Sequence, residues 1–252
     1  MKSFKLAQFE CRSALMSMGI YYGIYITVMI FLTIINRMNG GEMSFSSLEF
    51  SSCIFLLVSG IVTAKGTFKF TQANNLTRKT YFFGTLLAVP AVAVVMACID
   101  AVLYRLFALF MTSMSAFDMI YHNDLIFGSG NASTPIWHPI NTFASISSAF
   151  FWQLTLYACV FMLGMLFGSV LYRSNRVIKI VLAIAPVLLI MFVFNTSSFL
   201  PGTFWSSVGN FLAAAFGLNN GNSYMAALSF TVLFSVFSGI AWLFIRRMTI
   251  KK

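Results

Sequence analysis

The sequence predicts an all-α membrane protein with six transmembrane helices, on the strength of its composition, its apolar stretches and the placement of its basic residues. Hydrophobic residues make up 59% of the 252 positions, whereas charged residues make up only 9%. A soluble protein devotes about a quarter of its residues to charge, so this chain has too few charges to cover a water-facing surface. Stretches of about 20 apolar residues, enough to cross a bilayer, consume most of the chain. We therefore expect one transmembrane domain over 1–252 and no soluble catalytic domain.

The apolar stretches define the expected elements in chain order. Residues 1–17 place apolar and basic side chains on different helical faces, which is typical of an amphipathic helix lying in the membrane interface. Before the last span, segment 196–224 holds an apolar piece, 208–218, that is too short to cross, and we expect a re-entrant helix entering from outside. The expected spans are 18–36, 48–64, 80–110, 146–172, 177–195 and 225–245, with a loop at 65–79 and an external segment at 113–145.

The basic residues predict the orientation of these spans. With six spans, the N-terminus, the 65–79 loop, the 173–179 loop and the C-terminus fall on one side, and together they hold 14 of the 16 Lys and Arg residues. Basic loops stay in the cytoplasm, so we expect a multi-pass plasma-membrane protein with both termini cytoplasmic. The net charge of +10 has the same explanation, and we expect contact with membrane lipids and no nucleic-acid binding.

The 65–79 loop combines basic and aromatic residues at helical spacing, which suits insertion into a groove on a cytoplasmic partner. An ordinary positively charged loop would explain the charges but not the aromatic residues. The loop reads KGTFKFTQANNLTRK. Together with the amphipathic N-terminus, the six spans and the re-entrant segment, it resembles the permease subunit of type-2 ABC exporters. In that family the first cytoplasmic loop often carries a turn with asparagine or glycine followed by Ser/Thr-Arg-Lys, and here Asn74 and Asn75 stand where glycine is usual.

The resemblance implies a membrane-spanning subunit of an ATP-driven exporter for a hydrophobic or amphipathic substrate, such as a peptide, a lipid or a drug. ATP and Mg would bind separate cytoplasmic ABC ATPase subunits, so this chain would be no enzyme and would hold no cofactor or metal. A second permease chain, identical or homologous, would pack against Gly19 and Gly23, whose GxxxG spacing permits close helix approach. The coupling-helix residues implied to contact the ATPase are Lys65, Phe68, Lys69, Phe70, Asn74, Asn75, Thr77, Arg78 and Lys79.

Asp100 and Arg105 ionise within the apolar stretch of the third span, near its outer end. Ionisable residues inside membranes mark functional sites or helix contacts, and the sequence leaves both interpretations open. If they act in function, they form a polar site towards the outer side of the membrane.

Two other classes of function remain alternatives. One is a stand-alone membrane immunity or sensory protein that binds a membrane-active peptide. The other is an intramembrane enzyme, which the sequence disfavours because no nucleophile, base or metal set converges. The GxxxxGK[ST] and HExxH motifs are both absent from the sequence, so it offers neither a phosphate loop nor that zinc site.

Overall fold

A computed structural model describes residues 2–38, 45–46, 49–110, 113–121, 142–175, 180–181, 184 and 202–247. Within these residues the chain is helical, apart from one pair of two-residue strands, and five helices are long and apolar enough to cross a membrane. The expected multi-pass helical membrane protein is therefore confirmed. The elements are α1 (Lys2–Met38), β1 (Phe45–Ser46), α2 (Glu49–Ala73), α3 (Arg78–Ala108), β2 (Ser113–Met114), α4 (Ala116–Tyr121), α5 (Phe143–Arg173), α6 (Gly202–Ala215), a 3-10 turn (Leu218–Asn220) and α7 (Ser223–Arg246).

Two helix boundaries differ from those expected. The interfacial helix 1–17 and the span 18–36 form one unbroken helix, α1, which contains no proline to interrupt it. Its 37 residues extend for about 55 Å, well beyond the roughly 30 Å hydrocarbon core. Likewise α2 continues past the expected end at residue 64 and stops at Ala73.

The remaining expected elements fall closer to their predicted bounds. Spans 80–110, 146–172 and 225–245 correspond to α3, α5 and α7. Segment 196–224 contains α6, whose 14 residues cover only about 21 Å. The fifth expected span, 177–195, lies outside the described residues apart from 180–181 and 184.

The helices run in two directions. α1 lies parallel to α3, since Leu6 neighbours Gly84 and the hydroxyl of Tyr22 reaches Asp100 further along both helices. α2, α5 and α7 run the opposite way. For α2 and α5, for example, Glu49 contacts Gln153 near the start of both helices, and Phe68 and Tyr172 pack near their ends.

The closest helix contact joins α2 and α5 through small residues. A Cβ added to Gly164 would lie 2.2 Å from the carbonyl oxygen of Leu57, and one added to Gly60 would lie 2.3 Å from that of Phe161. Gly168 similarly faces Ala64. Small residues four apart let helix backbones touch in membranes, so this pair forms the centre of the bundle.

The helix ends gather into two groups. At the hairpin end, defined by the turn between α2 and α3, Phe9 of α1 stacks on Phe70 with ring centroids 4.8 Å apart. At the strand end, defined by the parallel pairing of β1 with β2, the hydroxyl of Tyr121 donates to the carbonyl of Phe216 over 2.8 Å. Of the eleven basic residues with described side chains, Arg37 and Arg105 lie towards the strand end, and nine lie towards the hairpin end: Lys5, Arg12, Lys65, Lys69, Arg78, Lys79, Arg173, Arg246 and Arg247.

Candidate functional site

The turn between α2 and α3 is built by a helix-ending motif centred on Asn75. The N–H of Asn75 donates to the carbonyl of Gln72 and that of Leu76 to the carbonyl of Thr71, the paired bonds of a Schellman motif. Asn75 adopts a positive φ of 54°, which asparagine tolerates better than most residues. The Thr77 hydroxyl then accepts from the N–H of Thr80 and caps α3. Asn75 thus fills the role that glycine usually takes.

The predicted coupling residues do not form a separate helix. Residues 65–73 are the last turns of α2, Asn74 and Asn75 form the turn, and α3 begins at Arg78. Phe68 is only 1% exposed and packs against Tyr81 and Tyr172, so it belongs to the core. The other residues keep exposed or partly exposed side chains at the hairpin end: Lys65, Lys69, Phe70, Asn74, Asn75, Thr77, Arg78 and Lys79.

The hairpin, formed by the end of α2, the turn and the start of α3, contacts two other helices. Its Arg78 guanidinium donates to the carbonyl of Arg246 over 2.6 Å, so it satisfies a backbone acceptor at the C-terminus of α7 that the helix itself leaves unpaired. Its Phe70 stacks on Phe9 of α1. Force applied to the hairpin would therefore reach both α1 and α7.

Gly19 and Gly23 lie on an outward face of α1. A Cβ added at either position would meet nothing within 4 Å, and both residues are exposed. No packing within the described chain requires these two glycines, in contrast to Gly60, Gly164 and Gly168. The expected permease contact is therefore sterically open.

Asp100 and Arg105 do not form one site. Asp100 is 7% exposed and sits where α1, α3 and α5 meet. The hydroxyl of Tyr22 donates to its Oδ1 over 2.8 Å, and the hydroxyl of Tyr157 donates to its Oδ2 over 2.5 Å. Arg105 instead donates to the carbonyl of Ala101 on its own helix over 2.8 Å. Asp100 thus links three helices, and Arg105 lies near the strand end.

A groove of about 470 Å³ separates the N-terminal half of α1 from α2, which lines it between Phe55 and Phe70. It exists because α1 packs mainly on α3 while α2 packs mainly on α5. Ala88, Val92 and Phe161 line it from behind. Its remaining lining residues come from the two splayed helices: Phe9, Glu10, Ser13, Ala14, Ser17 and Met18 from α1, and Phe55, Leu56, Val58, Ser59, Val62, Thr63, Gly66, Thr67 and Phe70 from α2.

Glu10 is the only ionisable residue among those lining residues. It is 7% exposed, and its Oε1 accepts a 2.8 Å hydrogen bond from the hydroxyl of Thr85 on α3. That bond draws the carboxylate towards the back of the groove. The groove therefore has an apolar body with small hydroxyl groups and one acidic group.

Sequence reasoning missed Glu10 and the partners of Asp100. Glu10 carries a usable signal, since it is the only acidic residue before Glu42 in a segment rich in basic residues. The tyrosines at 22 and 157 carry none, because nothing in the sequence distinguishes them from the chain's other tyrosines. Glu49 was also missed; its carboxylate accepts from the backbone N–H of Ala116 over 3.1 Å and joins α2 to α4.

Within the described part of the chain, no three His, Cys, Asp or Glu side chains gather into a group that could hold a metal ion. His122 and His138, both in the expected external segment, lie outside that part.

Comparison with known proteins finds no protein family, no curated protein and no solved structure that matches this chain.

Proposed function

We propose that this chain is the membrane-spanning subunit of an ATP-driven exporter, powered by separate cytoplasmic ATPase subunits. The observation that carries the proposal is the hairpin between α2 and α3. It exposes Lys65, Lys69 and Lys79 around a turn held rigid by hydrogen bonds, and it contacts both α1 and α7. A rigid, exposed lever joined to several spans is suited to carrying force from a partner into the bundle.

The proposal includes six spans with both termini in the cytoplasm. Two features of the described helices support an additional crossing between α5 and α7. These two helices run in the same direction, with Arg173 at the hairpin end and Phe216 at the strand end. The intervening α6 is too short to cross the membrane. An additional span at 177–195, followed by α6 as a re-entrant helix, accounts for the shared direction of α5 and α7 and for the short α6. The basic residues at the hairpin end support a cytoplasmic location for that end.

A second permease chain completes the proposed transporter. The exposed GxxxG step of Gly19 and Gly23 supports its contact on α1. The substrate would be hydrophobic or amphipathic, since the groove between α1 and α2 is lined largely by apolar side chains. ATP and Mg would bind in the partner ATPase.

Affinity purification from native membranes tests the proposal. An ABC ATPase encoded beside this chain should co-purify with it. Lys69→Glu and Lys79→Glu should each reduce the ATPase retained, because both side chains are exposed on the hairpin. The matched control is Arg37→Glu, an exposed position at the other end of α1, which should leave the complex intact.

Arg78→Glu is a poor probe of the same surface, because it would also remove the hydrogen bond to the carbonyl of Arg246. A chain that purifies without an ATPase and still protects cells against a membrane-active peptide would overturn the proposal. Protection that is unaffected by Lys69→Glu would then identify a stand-alone immunity or sensory protein.

A further inference from the structure

We propose that the groove between α1 and α2 binds a single-chain amphiphile with a positively charged head, and that Glu10 recognises the head. This ligand class extends the proposed exporter, and it rests on that function only for the transport step after binding. Three observations carry it: a buried carboxylate at the groove, the absence of any cation among the described lining residues, and an apolar path leading away from the carboxylate.

The Glu10 carboxylate determines which head group of the amphiphile the groove prefers. A carboxylate removed from water needs hydrogen bonds and an opposite charge to offset its desolvation. Thr85 supplies one hydrogen bond to Oε1, whereas an ionised carboxylate has roughly four acceptor sites. An ammonium head brings three donors together with the missing charge. A neutral head would bring hydrogen bonds alone, and an anionic head would be repelled.

The rest of the groove suits a tail. From Glu10 the lining continues along α1 to Met18, about 12 Å further by helical rise, and meets Phe55 and Leu56 of α2. A volume of about 470 Å³ lies within the range of roughly 300–1,000 Å³ that small-molecule sites occupy. A ligand could therefore place its head near the hairpin end and its tail towards the middle of the bundle.

The lysines outside the groove provide the strongest objection. Lys65 and Lys69 are exposed on α2 close to the lining residue Gly66, and they would favour an anionic head if charge at the rim decided binding. Neither lysine lines the groove itself. The Glu10 carboxylate predicts a preference for cationic amphiphiles, whereas the lysines at the rim predict a preference for anionic ones. Binding measurements therefore distinguish between the two.

The test measures saturable binding of dodecylammonium to the purified full chain in phosphatidylcholine nanodiscs, without ATPase. Glu10→Gln keeps an oxygen that can accept from Thr85, so it should fold while losing at least about tenfold in affinity, the effect of losing a hydrogen bond to a charged group. Gly66→Leu should abolish saturable binding, because a Cβ there meets nothing within 4 Å and the side chain can enter the groove. Gly239→Leu, equally open but on α7, should bind as the unaltered chain does.

Dodecanol and dodecyl sulfate complete the comparison. Weak binding of both, unchanged by Glu10→Gln, supports selection of the head by charge. Equal binding of dodecanol would show a groove for any lipid tail, stronger binding of dodecyl sulfate would show control by the rim lysines, and either result would overturn the proposal. Because no ATPase is present, failure here leaves the exporter proposal standing, and failure of ATPase co-purification leaves this result standing.

Discussion

Replacing Gly164 by alanine tests the close contact between α2 and α5. The new Cβ would lie 2.2 Å from the carbonyl oxygen of Leu57 and 3.0 Å from its carbonyl carbon. Ordinary contact begins at 3.4 Å, so the shortfall is about 1.2 Å. Because the obstacle is backbone, no side-chain rotation relieves it, and the two helices must move apart. The cost then falls on every contact along their shared interface.

The size of the cost depends on the size of that movement. A gap of about 0.5–1 Å already forfeits a quarter to a half of the dispersion energy of a contact, and overpacking a core typically costs about 1–3 kcal/mol. We expect a loss near the upper end, about 3 kcal/mol, or roughly a hundredfold in the folding equilibrium. Gly84→Ala should cost less, about 1 kcal/mol, because its nearest atom, at 2.8 Å, belongs to the flexible side chain of Leu6.

The assay is equilibrium unfolding by SDS in mixed micelles, followed by far-UV circular dichroism. Gly239→Ala is the matched control, since a Cβ there meets nothing within 4 Å. It shares with the other two variants the gain in helix propensity of about 1 kcal/mol that Gly→Ala brings inside a helix, so each steric cost is the difference in unfolding free energy from this control. The expected order of loss is Gly164→Ala, then Gly84→Ala, then Gly239→Ala. If Gly164→Ala unfolds at the same SDS fraction as Gly239→Ala, α2 and α5 do not touch as described.

Three further variants test the turn, the buried carboxylate and the topology. Asn75→Val should lower the free energy of unfolding by about 1–2 kcal/mol because of its positive φ, whereas Asn75→Gly should not lower it; equal losses in the same SDS titration would contradict the turn geometry. Asp100→Leu should cost about 1–3 kcal/mol, because it removes the acceptor of the Tyr157 hydroxyl, whereas the Tyr22 hydroxyl can still donate to the carbonyl of Met96. Adding Tyr157→Phe should recover part of that loss; a purely additive double mutant would mean that the pair does not interact. In a cysteine-free background, a cysteine replacing Lys69 should react with an impermeant maleimide only from the cytoplasm and one replacing Asn220 only from outside, and labelling of both from one side would exclude the proposed topology.

The sequence predicted the five long apolar helices of the described part of the chain, because their signal is composition over about 20 residues and requires no information about neighbouring helices. It predicted where helices stop less well. The polar residues after 64 looked like a loop, yet they continue α2, because lysine, threonine and glutamine are compatible with a helix as long as nothing caps it. Helix α2 ends at the turn in which Asn75 adopts a positive φ. The sequence Asn-Asn allows that conformation but does not require it.

The sites were less predictable than the spans for a related reason. A GxxxG step indicates that a helix can approach another closely, but two such steps occur within long apolar helices, one in α1 and one in α5, and they differ in use. Gly164 and Gly168 contact α2, whereas Gly19 and Gly23 face outward. To predict which step contacts another helix of the same chain, one must know which face of each helix is buried in the bundle. That depends on packing between residues about 100 positions apart.

The two buried carboxylates, Asp100 and Glu10, are equally enclosed at 7% exposure, yet their surroundings separate a structural role from a binding role. Asp100 accepts one tyrosine hydroxyl at each oxygen, and both tyrosines belong to the packed core. It holds three helices together and is not among the residues that line the groove between α1 and α2. Glu10 has one hydroxyl partner, Thr85, and borders that open groove. Removing Asp100 should therefore reduce stability, whereas Glu10→Gln, which keeps its one hydrogen bond, should reduce affinity for a cationic amphiphile more than stability.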